Sequence, residues 1–292
     1  MANRDLFLII KGNDKMLIFR DIISSRNNTT VIWAASLADK KGREKERCFI
    51  AEGEKLTLEA LRRGLPVTHI FVNTERQDRI DGLLSEFEFD NRHENCQVIY
   101  LSESAFSKIS TEKAPQGIIS VIKYLDFFRN MDIIYKEDFF TFEGERALSL
   151  YSLRDPGNLG AVIRSASAFG VKHIILSSDS ADIYNPKTVR AAMGTMFGIK
   201  VTVVQNFASF VIAAKESGRS VYAAELTSNA RSINEIELKS DDIFIIGNEG
   251  HGIPTEISSI CSGSVYIPIS EGVESLNASV AAAVIMWEQN NI

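Results

Sequence analysis

The chain has 292 residues, 45% of them hydrophobic and 24% charged, with a formal net charge of −6; it is long enough for two domains and has an ordinary globular composition. Its three cysteines, Cys48, Cys96 and Cys261, are too widely spaced for a disulfide framework or a zinc site and point to a reducing compartment. No apolar stretch approaches the roughly 18 residues of a membrane span and the start lacks a signal-peptide pattern, so the expectation is a cytoplasmic protein with no membrane partner.

The acidic balance argues against nucleic acid as a partner, but it is uneven. Residues 1–64 carry 13 Lys/Arg against 9 Asp/Glu, leaving 19 against 29 for the remainder. The basic excess includes KKGREKER, with Lys40, Lys41 and Arg43, and the run Leu61-Arg62-Arg63. Such a run reads either as a solvated helix face or as a contact surface.

Taken in chain order, residues 1–33 form an N-terminal extension in which LFLII reads as a strand and SSRNNTT as a loop. From Ser36, SLADKKGREKER predicts a charged helix, CFIAEG a short strand, and EKLTLEALRRG a helix ending at Gly64. VTHIFVN, CQVIYL and GIISVIK are strands by their β-branched and aromatic content, with helices at DRIDGLLSEF and SESAFSKIS between them. This alternating unit covers 34–123. Residues 124–146 mix aromatic and charged residues without a period and read as an interdomain segment. From 147 to 292 the strands ALSLYSL, KHIILSS, IKVTVVQ, SVYAAEL, DIFIIG and SVYIPIS alternate with helices at 159–169, 187–193, 207–217 and 278–289. That alternation predicts an α/β domain, a mostly parallel sheet with helices on both faces.

Ligands of parallel sheets bind beyond the carboxyl ends of strands, and three strand ends here have unusual composition. They are DPGNLGAVIRSASAF (155–169), IIGNEGHGIP (245–254) and IPISEGVESLNASVAAAVIMWE (267–288). The first imitates a dinucleotide fingerprint, with Asp179 following the next strand. Leu159 and Val162 stand where that fingerprint needs small residues, and Leu159 would block a pyrophosphate. GNEGHG lacks the Lys-Ser/Thr of a phosphate loop. What the three ends offer is backbone and apolar surface. Gly247, the Ile267–Ile269 backbone and the Leu276–Ala278 segment can surround a flat uncharged group such as an adenine with a thioether chain. Asn158, Arg164, Glu249 and Asn277 remain as polar groups able to face a reaction. Taken singly, each has a plainer reading: Asn277 as a helix cap, Glu249 as a turn tie, His251 as a solvent-facing loop residue.

In order and spacing, DPGNLGAVIRSASAFG, IIGNEGHGIP and IPISEGVESLNASVAAAVI resemble the three signature motifs of the SpoU (TrmH-like) RNA ribose methyltransferases. LADKKGREKERCFIAEGEKLTLEAL is similar to the substrate-binding domain that precedes many of them. The resemblance implies an enzyme that uses S-adenosyl-L-methionine to methylate a ribose 2′-hydroxyl, with no metal. It implies ribosomal RNA as substrate before transfer RNA, a non-catalytic RNA-binding or assembly factor being the other reading. It implies a homodimer, a deep trefoil knot in the C-terminal domain, and a smaller ribosomal-protein-like RNA-binding domain before it. By motif, Asn158, Arg164, Glu249, Ser275 and Asn277 fall on functional positions, and Gly247, Ile267 and Leu276 on cofactor-contacting ones. Arg190, in YNPKTVRAAMGTMF, falls on an RNA or partner contact, while Lys40, Lys41 and Arg43 belong to the RNA-binding region. The expected roles are Arg164 as a clamp on the phosphate beside the target ribose, and Glu249 as the group orienting Arg164.

Overall fold

The computed structural model describes residues 6–11, 14–87, 96–135, 137–138 and 145–291, those before residue 22 by backbone alone. The chain divides into two compact units, Met1–Leu125 with Tyr184–Phe197, and Asp126–Ile183 with Gly198–Ile292.

The first unit is a mixed six-stranded sheet built from β1 (Leu6–Lys11), β2 (Asp14–Ile23), β3 (Cys48–Glu52), β4 (Val67–Asn73), β5 (Gln97–Leu101) and β6 (Ile118–Lys123). The spatial order is β1-β2-β5-β4-β6-β3. The stretch expected to be an extension is therefore part of the sheet, since β2 pairs in parallel with β5. Residues 1–5 and 12–13 lie outside the described residues.

Its helices are α1 (Thr29–Ser36), α2 (Lys40–Glu46), α3 (Glu54–Arg62), α4 (Gln77–Ser85) and α5 (Glu103–Ile109). The charged helix expected from Ser36 starts at Lys40 as α2, and an uncharged helix, α1, precedes it where the extension and its loop were expected. Asn28 caps α1 by accepting from the Thr30 amide at 2.9 Å. The chain then breaks and packs α2 so closely that a Cβ on Gly42 would sit 2.0 Å from the Ser36 carbonyl oxygen. Val31, Leu37, Phe71, Leu101, Phe106 and Val121 fill the core beneath α1.

Residues 184–197 belong to this unit and not to the C-terminal one. Tyr184 stacks on Tyr124 with centroids 3.9 Å apart, and its hydroxyl accepts from the Leu125 amide at 2.8 Å. The short helix α6 (Pro186–Ala192) follows. The helix αM (Pro156–Ala168), which carries the first strand-end motif, precedes it in the chain.

The second unit is an eight-stranded sheet in the order β12-β14-β11-β13-β8-β9-β10-β7. Its strands are β7 (Phe128–Met131), β8 (Ala147–Leu150), β9 (His173–Ser177), β10 (Lys200–Val204), β11 (Val221–Ala224), β12 (Arg231–Ser232), β13 (Ile243–Ile246) and β14 (Gly263–Tyr266). Every pairing among them is parallel. β7 comes from the expected interdomain segment and forms the edge beside β10; residues 136 and 139–144 of that segment lie outside the described residues.

The first strand of the C-terminal domain, β8, sits inside the sheet, with β9 and β10 to one side and β13, β11 and β14 to the other. Such a reversal of strand order opens a crevice at the carboxyl ends. One face is covered by α7 (Phe207–Glu216), whose Phe207, Phe210 and Val211 pack with Ile175, Ile245 and Ile257. α8 (Thr255–Ser258) lies on the same side. The other face carries αM and α9 (Ala278–Asn290), which pack on each other. Gln289, 2% exposed, anchors the end of α9 by donating to the carbonyls of Lys239, Ser240 and Asp242 at 3.2, 3.4 and 2.8 Å.

Candidate active site

Each of the three strand-end motifs is shaped by its own local chemistry. After β8, Asp155 accepts from the Asn158 amide at 2.8 Å and Pro156 stands at the first helical position, so αM starts there and carries Asn158 in its first turn. After β13 the chain doubles back, with Asn248 and Gly252 exchanging backbone hydrogen bonds of 3.1 and 2.9 Å. Gly247 must be glycine there, since a Cβ would lie 2.6 Å from the Gly252 carbonyl carbon. After β14 the chain reaches Asn277, whose Oδ1 accepts from Ser279 N at 2.9 Å and caps α9.

β8 and β13 are adjacent, pairing Leu150 with Ile246, so the first two motifs leave the sheet side by side. Asn158 Nδ2 donates to Glu249 Oε1 at 2.9 Å, and Asn158 Oδ1 accepts from Asn277 Nδ2 at 3.1 Å. One polar residue from each motif thus joins a single chain of hydrogen bonds. Asn277 is both the plain helix cap and a member of this network.

Beside the network is a cavity of about 530 Å³, lined by Gly247, Ile267 and Leu276 together with Leu226, Ile253 and Ala278. Its size is that of a pocket for a drug-sized ligand. Ser275 also lines it and makes no hydrogen bond among the described residues. Leu226 and Thr227, from the end of β11, line the cavity as a fourth strand end. AELTS there is compositionally ordinary, and only its place beside β13 reveals it. His251 lines the cavity too; its ring is exposed, with Nδ1 3.3 Å from Asn248 Oδ1.

Two expected arrangements need correction. Arg164 lies outside the network: it is exposed and makes no hydrogen bond or ion pair among the described residues. Six residues along an α-helix turn it about 120° away from Asn158. Glu249 accepts from Asn158, and within the chain no hydrogen bond joins it to Arg164 among the described residues. Arg43 is also misplaced as an RNA contact. It is 2% exposed, and its Nη1 donates to the Leu37 and Ala38 carbonyls at 2.9 and 2.6 Å, satisfying the end of α1. Lys40 and Lys41 are exposed, Lys40 lying 3.8 Å from Glu44. Arg190 pairs with Glu112 at 2.5 Å within the first unit.

Asp179, the residue that imitated a ribose-binding acid, is engaged otherwise. It accepts from Ser152 Oγ at 2.6 Å, Ser177 Oγ at 2.7 Å and Arg154 Nη2 at 3.3 Å. Burial raises its carboxyl, but these hydrogen bonds outweigh burial and hold it below the ordinary aspartate value. The three cysteines are buried; burial pushes Cys96 and Cys261 up to about 12 and about 11, which removes them as nucleophiles.

Among the described residues no group of three His, Cys, Asp or Glu could hold a metal, and no helix is long and apolar enough to cross a membrane. Residues 145–287 match the SpoU rRNA Methylase family, and residues 28–120 the MRM3-like substrate binding domain. The chain is 33% identical to the 23S rRNA (guanosine(2553)-2′-O)-methyltransferase RlmP of Bacillus subtilis, over 92% of this chain and 98% of that one. It is 25% identical to the 23S rRNA (uridine(2479)-2′-O)-methyltransferase of Streptomyces viridochromogenes, over 91% and 90%. The AdoMet-bound rRNA methyltransferase from Sinorhizobium meliloti superposes with a TM-score of 0.76 at 26% identity, over 94% of this chain and 98% of that one.

Proposed function

The chain belongs to the SpoU rRNA methylase family, and we propose that it transfers the methyl group of S-adenosylmethionine to a ribose 2′-hydroxyl of ribosomal RNA. The observation that carries this reading is the Asn158–Glu249–Asn277 network at a cavity walled by Gly247, Ile267 and Leu276. The donor fits what is there. Gly247 leaves bare backbone where any side chain would collide, and Leu226, Ile253 and Leu276 give apolar walls for a purine.

When bound, S-adenosylmethionine supplies a methyl on a positively charged sulfur, an electrophile that needs no metal. The chain's part is then to orient the hydroxyl, and bringing the reacting atoms into line removes several kcal/mol of barrier. Asn158, held at both ends of its amide, positions the ribose. Ser275 and Asn277 shape the wall beside it. Arg164 brings a planar fork of N–H donors suited to two phosphate oxygens. Its role is to grip the phosphate beside the target ribose and to stabilise charge developing on oxygen while the hydroxyl proton passes to water.

Arg164 serves the site of a second copy of the chain. It is exposed on αM, one residue from Ser165, which with Val280 and Trp287 lines an apolar hollow between αM and α9. Val280 and Trp287 are 47% and 53% exposed, and a second copy seated there covers them. Membership of the SpoU family supports a trefoil knot in this unit, and a ribosomal substrate supports a cytoplasmic enzyme. Lys40 and Lys41 reach RNA from the first unit, and Arg190 acts from the same unit.

The test is methylation of total RNA by the purified protein, with sites mapped as positions resistant to alkaline cleavage, beside thermal shifts with donor and product. Ribosomal RNA gains one resistant position, and S-adenosylhomocysteine raises the melting temperature. A stabilising shift with NAD alone, or resistant positions only in transfer RNA, overturns the reading.

A further inference from the structure

The Asp179 carboxylate gathers the ends of two neighbouring strands. Ser152 follows β8 and Ser177 closes β9; both are buried, at 6% and 5% exposure. The Ser152 amide donates to Ser177 Oγ at 2.7 Å, and each hydroxyl donates to a different Asp179 oxygen, at 2.6 and 2.7 Å. Ser152 holds a left-handed backbone, φ 53°, which a residue with a Cβ adopts only where its surroundings enforce it. That turn presents the Ser152 carbonyl to Asn248 Nδ2 at 2.8 Å. Asn248 Oδ1 in turn accepts from the Gly250 and His251 amides at 2.9 and 3.1 Å. The amides of the loop carrying Glu249 are thus held by a relay of hydrogen bonds that begins at Asp179. No member of the relay belongs to the Asn158–Glu249–Asn277 network, yet it joins the same two loops.

We propose that Asp179 is a positioning residue: through Ser152 and Asn248 it fixes the first and second motif loops against each other, so that Glu249 meets Asn158 in register. The proposal rests on the methyl-transfer reading for its effect on rate, but not for its effect on the loop. A loop free to shift by an ångström loses alignment of the reacting atoms more than it loses binding. The burden falls more on kcat than on KM for RNA, while KM for the donor also rises because the same loop walls its cavity.

The experiment compares wild type with Asp179→Asn and Ser152→Gly. The glycine keeps the left-handed turn without strain and removes only the hydroxyl that reaches Asp179, so it reports even if Asp179→Asn does not fold. Two readouts are taken: kcat and KM for methyl transfer, and amide hydrogen exchange of residues 247–252. In both variants kcat falls about tenfold, exchange in 247–252 speeds up about tenfold, and exchange in β10 stays as in wild type. The double variant is no worse than Asp179→Asn alone, because both break one relay. Unchanged exchange in 247–252 overturns the proposal whether or not the protein methylates RNA. A kcat equal to wild type in both variants also overturns it. A wild-type protein that neither binds donor nor methylates, with the loop exchange rising as expected, sinks the methyltransferase reading and leaves the relay standing.

Discussion

The Arg43 guanidinium reaches the carbonyl oxygens of Leu37 and Ala38 from a position that is 2% exposed. Those carbonyls lie where α1 has ended and no further turn supplies amides to them. Removing the arginine leaves them desolvated without partners, at about 2–4 kcal/mol for the pair. Arg43→Ala is therefore expected to lower the urea midpoint of unfolding markedly while leaving RNA affinity, corrected for the folded fraction, unchanged. Lys40→Ala and Lys41→Ala should do the opposite, leaving stability intact and reducing the slope of log affinity against log salt by about one each. An Arg43→Ala protein as stable as wild type but poorer in RNA binding would restore Arg43 as a contact. Nothing in KKGREKER separates the buried cation from its solvated neighbours, because the distinction depends on where the previous helix stops. Asn158, Glu249 and Asn277 were legible for the converse reason: their loops leave predictable strand ends, where polar residues among glycines and small residues have few structural duties.

At the level of elements, β9 and β10 enclose His173, which is 2% exposed with Nε2 2.8 Å from Thr202 Oγ1. Burial, reinforced by the charges of Lys200, Arg129 and Arg219, pushes the imidazole down to about 3. The unfolded value is about 6.5, so the folded state favours the neutral ring. That contribution is complete above pH 6.5 and is lost as the pH falls towards 3, with a slope near 1.4 kcal/mol per pH unit once the unfolded chain is protonated. Urea unfolding at pH 7, 6 and 5 should show this loss, and His173→Gln should remove most of the slope. Parallel slopes in the two proteins would mean that His173 is charged in the fold. These buried strands were readable because both are rich in β-branched residues, as strands covered on both faces are. β7 was not, since Phe-Arg-Asn-Met has no period and becomes a strand only because β10 leaves an edge to pair with. β1 was readable in LFLII, but β2 was not, and its place in the first sheet depends on β5, far along the chain.

At the scale of the whole molecule, the first motif puts both Arg164 and Asn158 on functional positions, yet the fold separates them around αM. Pattern could not reveal that, because it carries no information about which copy of a chain a residue serves. If the active site is completed by a second copy, the consequence is arithmetic. Homodimers of Arg164→Ala and of Asn158→Ala are each inactive, every site lacking one group. When the two are mixed and allowed to re-associate, half of the dimers are mixed, and each has one doubly damaged site and one intact site. About a quarter of wild-type activity should return on that statistical basis. If Arg164 instead serves the site of its own chain, every site in every dimer still carries one substitution and mixing restores nothing. The recovered activity should also vanish when Trp287→Glu places a charge in the hollow between αM and α9 in both chains, where Trp287 is 53% exposed in the isolated chain. Recovery that survives this change would mean that the copies meet through some other face.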